Sequence, residues 1–442
     1  VVIQSAGPAA ILSFLITGTL IILVMRMLGE LATASPVTGS FYAYARYAFQ
    51  DSPFLSRLAG FMTGWMYWYF WVIVIALEAI VGAKLLAYWL PDIPQWIVSL
   101  VLLVLLTATN LFSVKSFGEF EFWFSSIKVA AIGVFIFLCS LYLFGFWPNH
   151  QASGLGELLN HGGFMPNGWV PVLSGAVAAT GFYFGAEIVT IAAAETKNPE
   201  QSVAKATQSV ITRVLLFYVC SIFLVVCLVP WSSPDIATPY VSALKVLNIP
   251  FVADIMNAVI LVAVLSCLNS GVYAASRMLF ALTKNGDAPR ALTKLSKNGV
   301  PVRAILFSTL FGYISILASY FSPEGIFPFL VESYGTVALF VYIIIALSQI
   351  RLRRHLERVA PERIKVRMWC FPYLSYVAII GMVCIFAAMS LIPSLQKAFW
   401  FGIASAAILF CIFMIRDYVE LLKLRNQHPK LDTLVPAKHN KI

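Results

Sequence analysis

Charge is what this sequence lacks. Of its 442 residues only 11% are Asp, Glu, Lys or Arg, against roughly 25% in an average soluble domain. So few ionic groups cannot clothe a globule in water, and a chain that is 60% hydrophobic needs a solvent as apolar as lipid. The same composition excludes a disordered chain and a nucleic-acid binder, because the net charge of +10 sits on a mostly apolar sequence and needs a membrane explanation first. Histidine is scarce too. The five, His150, His161, His355, His428 and His439, fall in polar connections or the tail, so no metal site can be assembled inside the apolar runs. The seven cysteines are odd in number and contain no C-x-x-C pair, which excludes a disulfide framework and leaves them as small buried hydrophobes. There is no G-x-x-x-x-G-K-[ST] loop, no acidic or His-Asp constellation for a membrane enzyme and no long arginine series. An ATP-driven pump, an enzyme and a voltage-gated channel are therefore not expected, and no cofactor is called for.

What the sequence does contain is helical membrane spans. Apolar runs long enough to cross about 30 Å of hydrocarbon lie near 9–28, 58–88, 94–112, 122–146, 171–193, 214–231, 251–281, 302–321, 326–349, 371–392 and 399–415. That makes eleven spans with short connections, predicting an all-α polytopic bundle. Twenty-six of the thirty Lys and Arg residues fall in one set of alternate connections and the C-terminal tail, and only Lys84, Lys245 and Lys397 lie on the other face. The asymmetry places the first set, and the tail, in the cytoplasm. An odd number of spans then puts Val1 outside, which predicts that a preceding span is missing from this sequence. The alternative is an odd-spanned protein whose outer N-terminus translocates unaided.

An ionisable residue inside a span is costly and marks a functional candidate, and four stand out. They are Glu78, Lys128, Glu187 and Glu332. Lys128 is the one basic residue belonging to neither face. It either snorkels to the cytoplasmic interface or is a buried amine able to lose and regain a proton, as a proton-coupled carrier requires. Glu187 follows Gly181, Phe182, Tyr183, Phe184 and Gly185, a weak helix point near mid-membrane with aromatics beside it. Where such a helix unwinds, its free carbonyls and amides form a site for ammonium and carboxylate. The glycines could equally serve close helix packing. Glu78 lies beyond the aromatic run from Trp65 to Trp71, and Glu332 beside Ser333 and Gly335 marks a second break-like spot. The seventh span carries Ser266, Asn269, Ser270 and Tyr273 at steps of three, one and three. Those steps share one helical face and suit a solute pathway or interhelical hydrogen bonding.

Four stretches carry a family resemblance: GPAAILSFLITGTLIILVMRMLGELATASPVTGSFYAYA, NLFSVKSFGEFEFW, FGAEIVTIAAAETKNPE and SCLNSGVYAASRMLFALTKNGDAP. They resemble bacterial permeases of the amino acid, polyamine and organocation superfamily, over essentially the whole chain. WMYWYFWVIVIALEA, GGFMPNG and SGVYAASRM are similar to the γ-aminobutyrate permeases within it. The resemblance implies a leucine-transporter-like fold of twelve helices, eleven present here, built as two inverted five-helix repeats plus two helices. Residues 1–147 would be the first repeat without its first helix, 171–349 the second repeat, 371–415 the two additional helices and 416–442 a cytoplasmic tail. It implies that the substrate ammonium meets carbonyls at Gly181 to Gly185, with Tyr183 or Phe182 as a gate and Ser266, Asn269 and Ser270 opposite. Glu187 would hold the unwound segment, Lys128 would carry the coupling proton, and Glu78 and Glu332 would be structural or gating acids. Gly181 departs from relatives with a bulkier side chain and widens the pocket. The expected function is proton-coupled import of an amino acid or related zwitterion across the bacterial cytoplasmic membrane. The partners are substrate and lipid bilayer, with no nucleic acid, and the sequence does not distinguish monomer from homo-oligomer. The alternative is a non-transporting sensor or partner subunit, or an inactive truncated permease.

Overall fold

A computed structural model describes residues 2–35, 37, 41–112, 114–148, 154–188 and 198–427 of the chain. Among these residues there is helix and no strand. Ten helices are long and apolar enough to cross a membrane. They are α1 (Val2–Ala34), α3 (Pro53–Leu86), α4 (Gln95–Phe112), α5 (Val114–Leu143, apolar from Glu121), α7 (Pro199–Arg213, Val214–Cys220 and Ser221–Leu228 in one run), α9 (Val252–Lys284), α10 (Val302–Phe321), α11 (Pro323–Val359), α12 (Tyr373–Leu391) and α13 (Gln396–Gln427). Of the expected fifth span, near 171–193, the described residues form the shorter helix α6 (Trp169–Tyr183), and 189–193 lie outside them. Two short helices lie between spans, α2 (Phe41–Ala48) and α8 (Pro239–Val246).

Several helices outrun their apolar windows. The ninth expected span, 326–349, continues to Val359, and the last, 399–415, to Gln427. Hydropathy marks where lipid ends, whereas an α-helix continues as long as its residues favour it. The break-like spot at Glu332 is corrected in the same way: the backbone of α11 runs helical through 331–335, and the side chain of Glu332 lies outside the described residues. Within α7 the stretch Val214–Cys220 is π-helical, the wider turn often found at functional sites.

α3 and α9 form the central pair, and α3 also packs on α2, α4, α10 and α11. Trp71, Tyr67 and Phe70 of α3 are buried in the core, while Trp65, Trp68 and Tyr69 of the same run are half-buried. Small residues let the helices approach. On α6, a Cβ at Gly175 would stand 2.6 Å from Ser13 Oγ and 2.7 Å from Val2 Cγ1 of α1. Ser13 and Thr17 donate hydrogen bonds to the Val172 and Ala176 carbonyls, at 2.8 and 2.9 Å. The Gly175→Ala variant is therefore expected to lose about 1–3 kcal/mol, checked as a lower denaturation midpoint in detergent. An unchanged midpoint would show that α1 and α6 part freely.

One end of the bundle is tied by charge. α9 stops at Lys284, and Gly286 takes a left-handed φ of 81° that closes the helix as glycine commonly does. The turn aims Asp287 inward. Its buried carboxylate accepts from Tyr42 of α2, from Arg46 of α2 at 3.5 Å and from Arg416 of α13 at 2.6 Å, while Trp65 of α3 donates to its backbone carbonyl at 3.1 Å. Burial and the neighbouring carboxylate push the Tyr42 phenol upward, so it remains a donor at any physiological pH. A second buried clamp joins Glu30 of α1 to Arg353 and Gln349 of α11 and to the Met368 backbone amide.

Candidate functional site

α6 ends inside the bundle. Tyr183 is its last helical residue, Phe184 is extended (φ −65°, ψ 138°), and Gly185 has φ 110°. That backbone conformation is open only to glycine, so the break falls at Phe184–Gly185. Gly181, expected within the unwound stretch, is still helical. The segment is held by Glu187, which is 0% exposed. Its carboxylate accepts from the Gly185 amide at 3.0 and 3.2 Å and from the Tyr342 hydroxyl of α11 at 2.9 Å. Charge-assisted bonds of this kind are among the stronger ones available to a side chain, and they fix a backbone that has left the helical ladder.

The broken end faces a cavity of about 630 Å³ lined from α1, α3, α6, α7, α8 and α9. Aromatic residues dominate it: Phe14, Phe70, Trp71, Phe182, Phe184, Tyr218 and Tyr240. Phe14 and Phe182 stack at 6.4 Å, and Phe184 lies 3.9 Å from the Phe70 ring centroid. Glu78 is the only ionisable carboxylate among the described lining residues. It forms no ion pair among them, and its neighbour is the Cys267 thiol, a weak donor. The C-terminal end of α6 adds the partial negative charge of a helix terminus. A carboxylate whose charged neighbour, Lys128, lies outside the cavity lining, a helix C-terminus and aromatic faces together favour a compact organic cation such as an ammonium group.

Gly181, Phe182 and Phe184 line this cavity. Tyr183 does not. It is buried between Phe14 and Tyr218, and its hydroxyl donates to the Phe14 carbonyl at 3.1 Å, which leaves Phe182, half exposed, as the aromatic at the opening. Gly185 lies behind the wall, its face against Trp71. The polar stripe of α9 also turns elsewhere. Ser266 meets Lys128 and Glu121 of α5, Asn269 accepts from Asn110 of α4 at 2.8 Å, and Ser270 is absent from the lining. The residue of α9 that reaches the cavity is Cys267.

Lys128 is half-buried and reaches toward the start of the apolar span. Its Nζ donates to Ser266 Oγ at 2.6 Å and lies 3.8 Å from Glu121 Oε1. It borders a separate groove of about 390 Å³ with Arg213, Tyr218 and Tyr240. Glu121, Cys267 and Tyr218 were not singled out from the sequence. Glu121 alone carried a usable signal, standing seven residues before Lys128 and so on the same helical face.

An all-helical bundle crossing the membrane many times, with a broken helix opening on a buried cavity, defines a polytopic membrane transporter. The Amino acid permease family profile matches residues 1–432, and the chain belongs to that family. It is 49% identical over 396 residues to the gamma-aminobutyric acid permease of Bacillus subtilis (strain 168), covering 89% of this chain and 83% of that protein. It is 46% identical over 398 residues to the gamma-aminobutyric acid permease of Escherichia coli (strain K12), covering 90% and 84%. Its identity to an aromatic amino acid transport protein of Corynebacterium glutamicum is 37% over 393 residues, covering 88% and 83%. In three dimensions the chain is similar to a variant of the Eremococcus coleocola manganese transporter, with a TM-score of 0.50 at 14% identity, over 95% of this chain and 90% of that one. The fold is leucine-transporter-like, as the sequence led us to expect.

Proposed function

We propose that the protein imports γ-aminobutyrate, or a closely related amino acid, by proton symport with alternating access, across the bacterial cytoplasmic membrane and with its C-terminus in the cytoplasm. The observation that carries this reading is the Glu78 carboxylate, the one acid among the described lining residues of an aromatic cavity beside the broken end of α6. A carboxylate at this depth is costly, its nearest support is the Cys267 thiol with Lys128 acting from outside the lining, and a substrate ammonium in the cavity offsets more of the cost. An ω-amino acid holds its two charges apart on a flexible chain, which matches a cavity whose acid stands on α3 while the backbone break is on α6. The names of the similar gamma-aminobutyric acid permeases support the same substrate. Lys128, half-buried against α9 and outside the cavity lining, is the group we assign to the proton, so that its protonation state and substrate occupancy bias the same inward and outward forms.

Reconstituted into liposomes, the protein is expected to accumulate labelled γ-aminobutyrate only under an inward pH gradient. A panel of neutral, aromatic, basic and ω-amino acids should show strongest competition from the last class. Glu78→Gln is expected to raise the apparent KM at least about tenfold by removing the ammonium partner. A Glu78→Gln protein with unchanged KM would remove Glu78 from the site, and gradient dependence that survives Lys128→Ala would remove Lys128 from coupling.

A further inference from the structure

Lys128 stands seven residues inside the apolar part of α5, with its side chain half-buried against α9. Between it and the start of the apolar part of α5 stands a short hydrogen-bonded chain across two helices. Lys128 Nζ donates to Ser266 Oγ at 2.6 Å, and Ser266 donates onward to Glu121 Oε1 at 2.7 Å. A hydroxyl has one proton to give and two lone pairs, so both bonds form at once and point the same way. Ser125 steadies the same carboxylate oxygen with a hydrogen bond of 3.0 Å. The other oxygen, Oε2, is buried and has no hydrogen-bond partner among the described residues, so the relay ends on Oε1. The bridging Ser266 is 1% exposed, the Lys128 and Glu121 side chains are 34% and 25% exposed, and Glu121 stands at the first residue of the apolar span.

We propose that Glu121 is the proton acceptor of this transporter on its cytoplasmic side, taking the proton of Lys128 through Ser266. The step balances. An N–H bond breaks at Lys128 and an O–H forms at Ser266 Oγ, while the original Ser266 O–H breaks and a new O–H forms on the Glu121 carboxylate. An ammonium and a carboxylate become an amine and a carboxylic acid, with no other reactant. The product pair is neutral, and neutral groups are easier to shift against one another in lipid than an ion pair. Glu121 then gives the proton to water at the interface. The other titratable or charged groups facing Lys128 are Glu78 and Cys267 on the cavity side and Arg213, Tyr218 and Tyr240 around the groove. Glu121 alone is joined to it through Ser266.

The inference rests on the coupling role given to Lys128 above, so the test separates the two. In proteoliposomes, gradient-driven accumulation of labelled γ-aminobutyrate and its exchange against internal unlabelled γ-aminobutyrate are measured side by side across external pH. Glu121→Gln keeps an acceptor for Ser266 but cannot carry a proton, and accumulation is expected to fall at least about tenfold while exchange stays within about twofold. Glu121→Asp is expected to recover part of the accumulation, with a shifted pH profile. Full accumulation by Glu121→Gln beside a Lys128→Ala protein that has lost it would overturn the relay and leave Lys128 in place. Gradient dependence that survives Lys128→Ala would overturn both. Equal loss of exchange and accumulation in Glu121→Gln and Glu121→Asp would mean a structural carboxylate, and would overturn the relay.

Discussion

Glu187→Gln is expected to reduce initial uptake by at least about a hundredfold. The carboxylate stands among donors: the Gly185 amide reaches both oxygens, and Tyr342 donates to Oε2 at 2.9 Å. An amide of the same shape turns one acceptor into a donor, and a donor then faces a donor in a site with no exposure. Bonds to a charged acceptor contribute about 1.5–3 kcal/mol each, and the one shared between both oxygens by the Gly185 amide holds the peptide that leaves the helix. Without it Phe184–Gly185 is free to leave the arrangement that shapes the cavity wall. The measurement is initial-rate uptake by equal amounts of reconstituted protein, with Glu187→Ala alongside. Retention of half the wild-type rate by Glu187→Gln would show that the break is held by glycine conformation alone.

The largest loss of stability is expected from Glu30→Ala. Glu30 is 1% exposed and collects Arg353, Gln349 and the Met368 amide, so its removal strands a buried guanidinium. Breaking one side of a buried ion pair costs about 3–5 kcal/mol. Arg353 keeps Glu357 at 2.8 Å, which places the loss at the lower end of that span. Replacing both partners, as in Glu30→Met with Arg353→Met, is expected to recover much of it, because the desolvation of two charges is then avoided. Reversible unfolding in mixed micelles checks the order: the single variant must be less stable than the double. The reverse order would mean that Gln349 and the Met368 amide, and not the ion pair, carry the clamp.

The membrane class and the helices were legible because burial in lipid writes itself as long apolar runs, and because the glycine at 185 occupies a conformation closed to other residues. Glu187 was legible for a related reason, as a carboxylate at mid-membrane must be held by something. Other residues hid in ordinary surroundings. Glu121 and Glu30 lie at span ends, where an acid is unremarkable by hydropathy. Only the third dimension shows that each is the hub of a network crossing to another helix. The stripe of α9 illustrates the complementary limit. Periodicity put Ser266 and Asn269 on one face correctly, but a face has no address, and α5 and α4 meet it before the cavity does. The helix boundary at Tyr183, in place of one near Gly181, was hidden too, because a glycine remains helical when its neighbours pack around it.

The π-helical stretch of α7 decides what separates the two open spaces of the molecule. A turn with one extra residue rotates what lies beyond it by about 100° relative to an unbroken α-helix. That offset lets one helix set Arg213 on the groove beside Lys128 while Tyr218 borders both the groove and the cavity. Tyr240 of α8 does the same from the other side. The partition between the aromatic cavity and the groove beside Lys128 is thus a single layer of phenol rings. The two spaces are kept apart by the thickness of a side chain, not by a helix.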